Sequence, residues 1–429
     1  MIPKNKVTSK IVYGICPLYL KNGLNDITVN LEYYSRMGIN AFWISPMMET
    51  PEGGHGYDVS NYYELRRDFG KKTELKELVD QAHKKGIKIY MDFVPNHTSI
   101  YHPYMKDVQQ KGKQSPYYNY YDRDENGNYT YYFDWDHLPN LNYDNLKVIE
   151  WLTDAICYWV REFDIDGFRM DAVWGIKKRR PDFWPACRQA LDRIKNDVLL
   201  IAEASARDPY YFYNGFEVAY DWTDELGHWS MENVFTKKEG LVDRLDEALT
   251  NEGRGFHDDA IIFRFLNNND TGKRFITRYG VDMTRVAAVM LLTLPGVPCI
   301  YMGQEVGAEY EPYKKEGTLS FQDKHGLFDY YQKLINIRKS VPALQTNSWQ
   351  KVVVDPADKV YAYLRPGNEY QRSALIILNF SGENLQVEVE WPEEFKQKLK
   401  DLVTGENIMV TDKKIAVAKS RGLILVNSE

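Results

Sequence analysis

Eight short apolar segments recur along the first 340 residues or so, and most are followed by an amphipathic stretch. The segments are "KIVYGI" (10–15), "INAFWI" (39–44), "IKIYMDFV" (87–94), "IDGFRMD" (165–171), "VLLIAE" (198–203), "FEVAYDW" (216–222), "AIIFRFL" (260–266) and "VPCIYMG" (297–303). Each is short enough for a strand and apolar on both faces, which is the pattern of a parallel sheet covered by helices. The stretches between them read as helices. "LEYYSRMG" ends at Gly38, and "TELKELVDQAHKKG" has Thr73 as its expected N-cap and Gly86 as its stop. Leu146 to Phe163 carries an apolar stripe of Leu146, Ile149, Leu152, Ile156, Val160 and Phe163. Further helices are expected around 183–195, in "LVDRLDEAL", in "TRVAAVMLLTLPG" and in "FDYYQKLINIRKS". About eight strand–helix units favour a closed (β/α)8 barrel over an open sheet. A dinucleotide-binding open sheet is disfavoured, because no glycine-rich fingerprint follows the first strand.

Two regions break the rhythm. Residues 97–145 are rich in Tyr, Asp and Asn and follow the third strand as an insertion. After about 346 come "KVYAYLR", "SALIILNFS", "LQVEVEW" and "GLILVN", separated by Gly, Asn and Asp turns, which read as a small all-β sandwich. The expected division is therefore a barrel over 1–96 and 146–345, an inserted domain over 97–145 and a β-sandwich over 346–429. The 429 residues suffice for all three.

A formal charge of −7 argues against nucleic acid as a partner. No apolar run approaches membrane-spanning length, and "MIPKNKVTSK" has no export signature, so the cytoplasm is the expected compartment. An exported protein stripped of its signal would look the same. Cys16, Cys157, Cys187 and Cys299 lack metal-site spacing and read as buried free thiols. The 32 tyrosines and 10 tryptophans would suit sugar rings, although half-buried packing accounts for most of them.

In a barrel of this kind, polar residues at the C-terminal strand ends face the active site. The third strand ends in Asp92, Asn96 and His97, the fourth in Arg169 and Asp171, the fifth in Glu203 and the seventh in Asn269 and Asp270. Any one of these alone would read as a cap. Three carboxylates converging on one mouth repel each other, an arrangement tolerated where function needs it. Paired carboxylates there suggest glycoside chemistry, one ionised to attack and one protonated for the leaving oxygen. Arg169 lies two residues before Asp171 and so shares its side of the strand, which marks Asp171 as the nucleophile. Glu203 follows the apolar run "VLLIA", a setting that keeps a carboxyl protonated.

These residues carry a family pattern. "DFVPNH" (92–97), "GFRMD" (167–171), "IAE" (201–203) and "FLNNND" (265–270), supported by "GYDVSNYY" (56–63), "LPNLN" (138–142) and "GVPCIYMGQE" (296–305), occur in order. The chain resembles the α-amylase family, glycoside hydrolase family 13, along nearly all its length. The resemblance implies a retaining enzyme acting on α-glucans such as malto-oligosaccharides. Asp171 would be the nucleophile, Glu203 the acid/base, and Asp270 a third acid holding sugar hydroxyls. Arg169 would orient Asp171, His97 would bind the sugar beside the scissile bond, and Tyr57 would stack there. Transglycosidase or isomerase chemistry uses the same intermediate and remains open. A non-catalytic sugar-binding relative is disfavoured, because all three acids are kept.

Two departures stand out. The family usually has His before the third acid, where this chain has Asn269. An amide can donate but cannot become cationic, and restoring His is expected to raise kcat. After Asp171, "AVWG" replaces the usual Lys-His, so no cofactor is expected and calcium in particular is not. Trp174 there could stack on an acceptor sugar or pack in its loop. "DRDENG" (122–127) resembles the start of a calcium loop, but its twelfth position is Phe133, and a hairpin turn is expected instead. Finally, Asp58 and Arg274 are expected to pair across the far rim. That pair would close the cleft into a pocket and favour short oligosaccharides, whereas an open rim would admit starch.

Overall fold

The computed structural model describes residues 2–51, 53–223, 228–368 and 372–428. Eight parallel strands close into a barrel: β1 (Val12–Ile15), β2 (Ala41–Ile44), β3 (Lys88–Phe93), β4 (Gly167–Met170), β5 (Leu199–Ser205), β6 (Val218–Tyr220), β7 (Ile262–Phe265) and β8 (Val297–Tyr301). β1 pairs with β2 on one side, and with β8 on the other through Tyr13 opposite Ile300. All eight are buried along their lengths apart from Lys88 at the start of β3, as their apolar runs require. The barrel interior is aromatic. The Trp43 ring lies 5.9 Å from Phe263, 6.0 Å from Tyr301 and 6.4 Å from Tyr220.

The helices follow the expected spans with local differences. The helix Leu146–Phe163 buries Val148, Leu152, Ile156, Trp159 and Val160, but Leu146 is 63% exposed. It sits in the first turn, directly after the Asn145 cap. The helix after β2 runs from Lys72 to Lys84, so Thr73 lies inside it rather than capping it. Its first turn is closed by the Glu74 carboxylate, which accepts the Lys71 N–H at 2.6 Å. The helix before β8 begins at Phe275, earlier than its apolar pattern suggests, and bends at Gly280, where φ is +80°.

Between β3 and Leu146 the chain forms a short helix, Pro103–Lys111, and a set of isolated antiparallel bridges, including Arg123 with Tyr129 and Tyr131 with Pro139. "DRDENG" is a hairpin turn: Asp124 accepts the N–H groups of Asn126 at 3.0 Å and Asn128 at 2.8 Å. The C-terminal part holds a six-stranded antiparallel sheet that includes Val360–Arg365, Ala374–Asn379 and Arg421–Asn427. A three-stranded sheet of Val354–Asp355, Leu385–Val389 and Lys414–Val417 packs against it. Alternation divides the larger sheet: Leu375, Ile377 and Leu425 face the smaller sheet, while Ile376, Leu378 and Ile424 join the barrel core. Gly422 permits that contact, since a Cβ there would lie 2.8 Å from Val289 Cβ. No helix among the described residues is long and apolar enough to cross a membrane. The four cysteines are buried free thiols.

Candidate active site

β4 places the guanidinium of Arg169 at the centre of the barrel mouth. The strand alternates, so Arg169 and Asp171 share the inner side while Phe168 and Met170 pack outward in the core. Beneath the guanidinium lie the Trp43 and Tyr220 rings, 5.6 and 5.4 Å from its centre. Nη1 donates to Asp171 Oδ1 at 2.8 Å and to Asp92 Oδ1 at 3.0 Å, and Nε donates to Tyr220 Oη at 3.0 Å. Nη2 lies 2.5 Å from Glu203 Oε1. One buried cation thus touches carboxyls from β3, β4 and β5.

The backbone contributes to the same cluster. Ala172, directly after Asp171, takes a left-handed conformation with φ +49°. Such a conformation costs a residue with a side chain about 1 kcal/mol or more. The turn directs the Ala172 N–H to Glu203 Oε2 at 2.7 Å. Burial pushes the Glu203 carboxyl well above the usual range, and the charges of Asp171 and Asp270 push the same way against Arg169. Burial also raises Asp270, opposed by Arg169 and by the hydroxyl of Tyr313. Asp92, Asp171, Glu203 and Asp270 together face one Arg169, so full ionisation would leave a buried excess of negative charge. Burial and like charge both favour a proton on Glu203.

A cavity of about 460 Å³ opens over this cluster, with Asp171, Glu203 and Asp270 in its wall. His97, Tyr57, Asp58 and Trp174 also line it. His97 donates from Nε2 to the Tyr57 carbonyl at 3.0 Å and stacks on Tyr132 at 4.7 Å. Burial pushes its pKa down to about 4, so the ring is neutral at neutral pH. Trp174 stands 5.6 Å from Phe133. Positive φ values at Phe133 (+49°) and Asp134 (+60°) turn the tip of the inserted segment over the cavity. Trp135 and His137 continue that wall, their rings stacked 6.2 Å apart.

Two expected residues sit elsewhere. Arg274 is buried and does not line the cavity. Its Nη2 donates to the carbonyls of Asn268 and Gly272, both at 2.8 Å, so it braces the β7 loop instead of reaching Asp58. The expected rim pair is therefore absent, and Asp58 lies against Gly54. Asn269 also lies behind the cavity wall, where its amide donates to the hydroxyls of Tyr57 at 2.8 Å and Tyr313 at 2.9 Å. Tyr313, which donates to Asp270 Oδ1 at 2.9 Å, escaped the sequence reading. It belongs to the irregular loop after β8, and no periodicity or motif marks it.

Asn96 and the segment after Asp171, where calcium is not expected from the sequence, do not fit a metal ion. Asn96 Oδ1 is taken by the guanidinium of Arg179, which also donates to the carbonyls of Leu141 at 2.9 Å and Gly175 at 3.1 Å. Asn96 Nδ2 donates to Asn140 Oδ1 at 3.0 Å. A Cβ on Gly175 would lie 2.6 Å from Asn96 Oδ1, which explains the glycine of "AVWG". Among the described residues, no group of three His, Cys, Asp or Glu side chains is arranged to hold a metal.

Fold and site together define a (β/α)8 barrel with acidic side chains gathered at its mouth around one arginine. The family model "Alpha amylase, catalytic domain" matches residues 21–323, and the chain belongs to the α-amylase family. It is 27% identical over 368 residues to Alpha-amylase MalA of Haloarcula japonica, covering 83% of this chain and 52% of that protein. It is 28% identical over 409 residues to the maltogenic alpha-amylase of Bacillus acidopullulyticus, covering 90% of this chain and 67% of that protein. The chain thus spans about half to two thirds of the length of these relatives. Among solved structures, the noncanonic maltogenic alpha-amylase AmyB from Thermotoga neapolitana superposes with a TM-score of 0.83 at 26% identity, covering 98% of both chains.

Proposed function

We propose that this chain is a retaining α-glycosidase that hydrolyses α-1,4-glucosidic bonds in malto-oligosaccharides or related α-glucans. The observation that carries the reading is the Arg169 guanidinium shared by Asp171 and Glu203. A double displacement needs its two acids about 5–5.5 Å apart, and one guanidinium touching both supports that spacing here. Asp171 attacks the anomeric carbon while Glu203 gives its proton to the departing glycosidic oxygen, leaving a glycosyl–aspartate ester. Esterification removes the Asp171 charge that helped raise Glu203, which lowers the Glu203 pKa and leaves its carboxylate ionised and able to accept a proton. It then takes a proton from water as the water oxygen attacks the anomeric carbon and the ester bond breaks. Asp270 holds hydroxyls of the distorted ring, His97 and Tyr57 contact the same sugar, and Asn269 acts through its two tyrosine partners. Trp174 serves the acceptor side with Phe133.

The division of labour follows the proposed domains. The barrel over 1–96 and 146–345 carries the acids, segment 97–145 supplies the aromatic wall, and the sandwich over 346–429 braces the barrel. With the Asp58–Arg274 pair absent, neither residue is assigned a part in closing the cleft. The cytoplasm is the proposed compartment, in keeping with four reduced thiols. A transglycosidase is the second reading, because the wall of Phe133, Trp135 and Trp174 could hold a sugar acceptor as readily as admit water. A product profile on starch, maltotriose, pullulan, cyclodextrin and trehalose tests the proposal. Hydrolysis of maltotriose with trehalose untouched is expected. Longer oligosaccharides accumulating from maltotriose would favour transfer, and turnover of trehalose alone would overturn the linkage.

A further inference from the structure

Five side chains, Asp92, Tyr57, Asn269, Tyr313 and Asp270, form a single hydrogen-bonded row along one side of the cleft. Asn269 stands at its centre, and its Nδ2 lies 2.8 Å from the Tyr57 hydroxyl and 2.9 Å from the Tyr313 hydroxyl. An amide nitrogen carries two hydrogens, and these two oxygens account for both. Each hydroxyl, having accepted, has its own hydrogen left to give. Tyr313 gives it to Asp270 Oδ1 at 2.9 Å, and Tyr57 gives it to Asp92 Oδ2 at 3.1 Å. The polarity of the row is therefore fixed outward, from the amide to two carboxylates. Asp270 Oδ1, 3.1 Å from Asn269 Nδ2, is a third and longer acceptor that shares one of the two hydrogens.

The backbone at Tyr313 suggests that this placement serves the site. Tyr313 has φ +65° in a loop, a conformation that glycine would adopt freely. A residue with a side chain pays about 1–3 kcal/mol there unless its surroundings hold it. Here the Tyr19 hydroxyl accepts the Tyr313 N–H at 3.2 Å, and the His55 ring meets the tyrosine ring edge-on at 4.8 Å. The Tyr313 ring stays 43% exposed in the cavity wall while its hydroxyl reaches back to Asp270. Strain of this kind, without burial to repay it, is what a site residue shows rather than a packing residue.

We propose that Tyr313 is a positioning residue for Asp270, and that Asn269 fixes its hydroxyl by tying it to Tyr57. Its role in catalysis rests on the glycosidase reading above. Tyr313 occupies Oδ1 of Asp270, and no partner for Oδ2 is found among the described residues, so one oxygen is held while the other is left for substrate hydroxyls. The hydroxyl also favours the ionised form of Asp270. The other groups facing that carboxyl are Arg169 and Arg274, which act in the same sense, and Asp171, Glu203, Tyr57 and Tyr132.

The test is Tyr313→Phe, which keeps the ring and removes only the hydroxyl. On maltotriose, kcat should fall about tenfold to a hundredfold with KM changed less than about threefold, the rate equivalent of one hydrogen bond to a charged group. The acidic limb of kcat should move to higher pH. A second readout needs no turnover: carbon NMR of labelled aspartate carboxyls, with Asp270 assigned through Asp270→Asn. The Asp270 midpoint should rise by about half a unit or more in Tyr313→Phe, because the ionised form has lost a donor. An unchanged midpoint overturns the assignment whatever the parent enzyme cleaves, and so does a parent-like kcat in a variant with the parent melting temperature. A parent that turns over no α-glucan would instead count against the glycosidase reading, and the carboxyl titration would still decide the part played by Tyr313.

Discussion

At the scale of single residues, the site is a contest between burial and one guanidinium. Glu203 is buried beside Arg169, which would hold it ionised, yet burial and the neighbouring acids raise its pKa. A general acid works only while protonated, so activity should extend above the ordinary glutamate range and fall as pH rises through the raised value. Glu203→Gln should remove that alkaline limb and lower hydrolysis of maltotriose by about 10²–10⁴-fold. With a nitrophenyl glycoside, whose leaving group needs no proton, formation of the glycosyl–aspartate should be largely spared. Stopped-flow release of nitrophenol checks this, and equal losses on both substrates would contradict the assignment. At Asn269 the structure reverses a sequence-based expectation. Histidine there was expected to raise kcat, but no single imidazole nitrogen carries the two hydrogens that Tyr57 and Tyr313 now receive. Asn269→His should therefore lower kcat by about tenfold, one charged hydrogen bond's worth. Steady-state kinetics on maltotriose decide between the two directions.

At the scale of elements, Arg179 ties the inserted segment to the helix after β4 by bonding Asn96, Leu141 and Gly175 together. An internal cation there already occupies these acceptors, and the melting temperature is expected not to change in a chelator. Arg179→Ala would strand buried acceptors at a cost of about 2–3 kcal/mol and lower Tm by roughly 2–4 °C. Calorimetry with and without EDTA tests both, and a parent melting point that drops in EDTA and returns with calcium would contradict the account. The elements were largely legible in the sequence, because a strand buried on both faces must be apolar throughout and a covering helix must be striped. What was hidden depends on contacts between distant loops. Arg274 reads as a rim cation from its place after Asp270, but its direction is set by the carbonyls of the β7 loop. Tyr313 meets Asp270 across 43 residues of chain and from an irregular loop, so no local pattern could announce it. Leu146 matched the helical period and is still exposed, since a stripe does not say where the neighbouring element ends.

At the scale of the molecule, the barrel gathers carboxyls from strands far apart in the sequence onto one face, and the C-terminal sheet leaves that face open. It packs instead on the helix Phe275–Thr293, where Gly422 meets Val289 and the Tyr363 and Thr293 hydroxyls lie 2.5 Å apart. The chemistry is thus confined to one mouth, with Asp171 and Glu203 bridged there by Arg169. In the proposed reaction the two acids stand about 5–5.5 Å apart, too close for a water to act between Asp171 and the sugar, and Asp171 makes the first displacement. The most direct measurement is the anomeric configuration of the first sugar released, followed by proton NMR before mutarotation. The account predicts the α-anomer first, from two inversions at the anomeric carbon, with turnover lost in Asp171→Asn. Appearance of the β-anomer first would mean a single displacement by water and would contradict it.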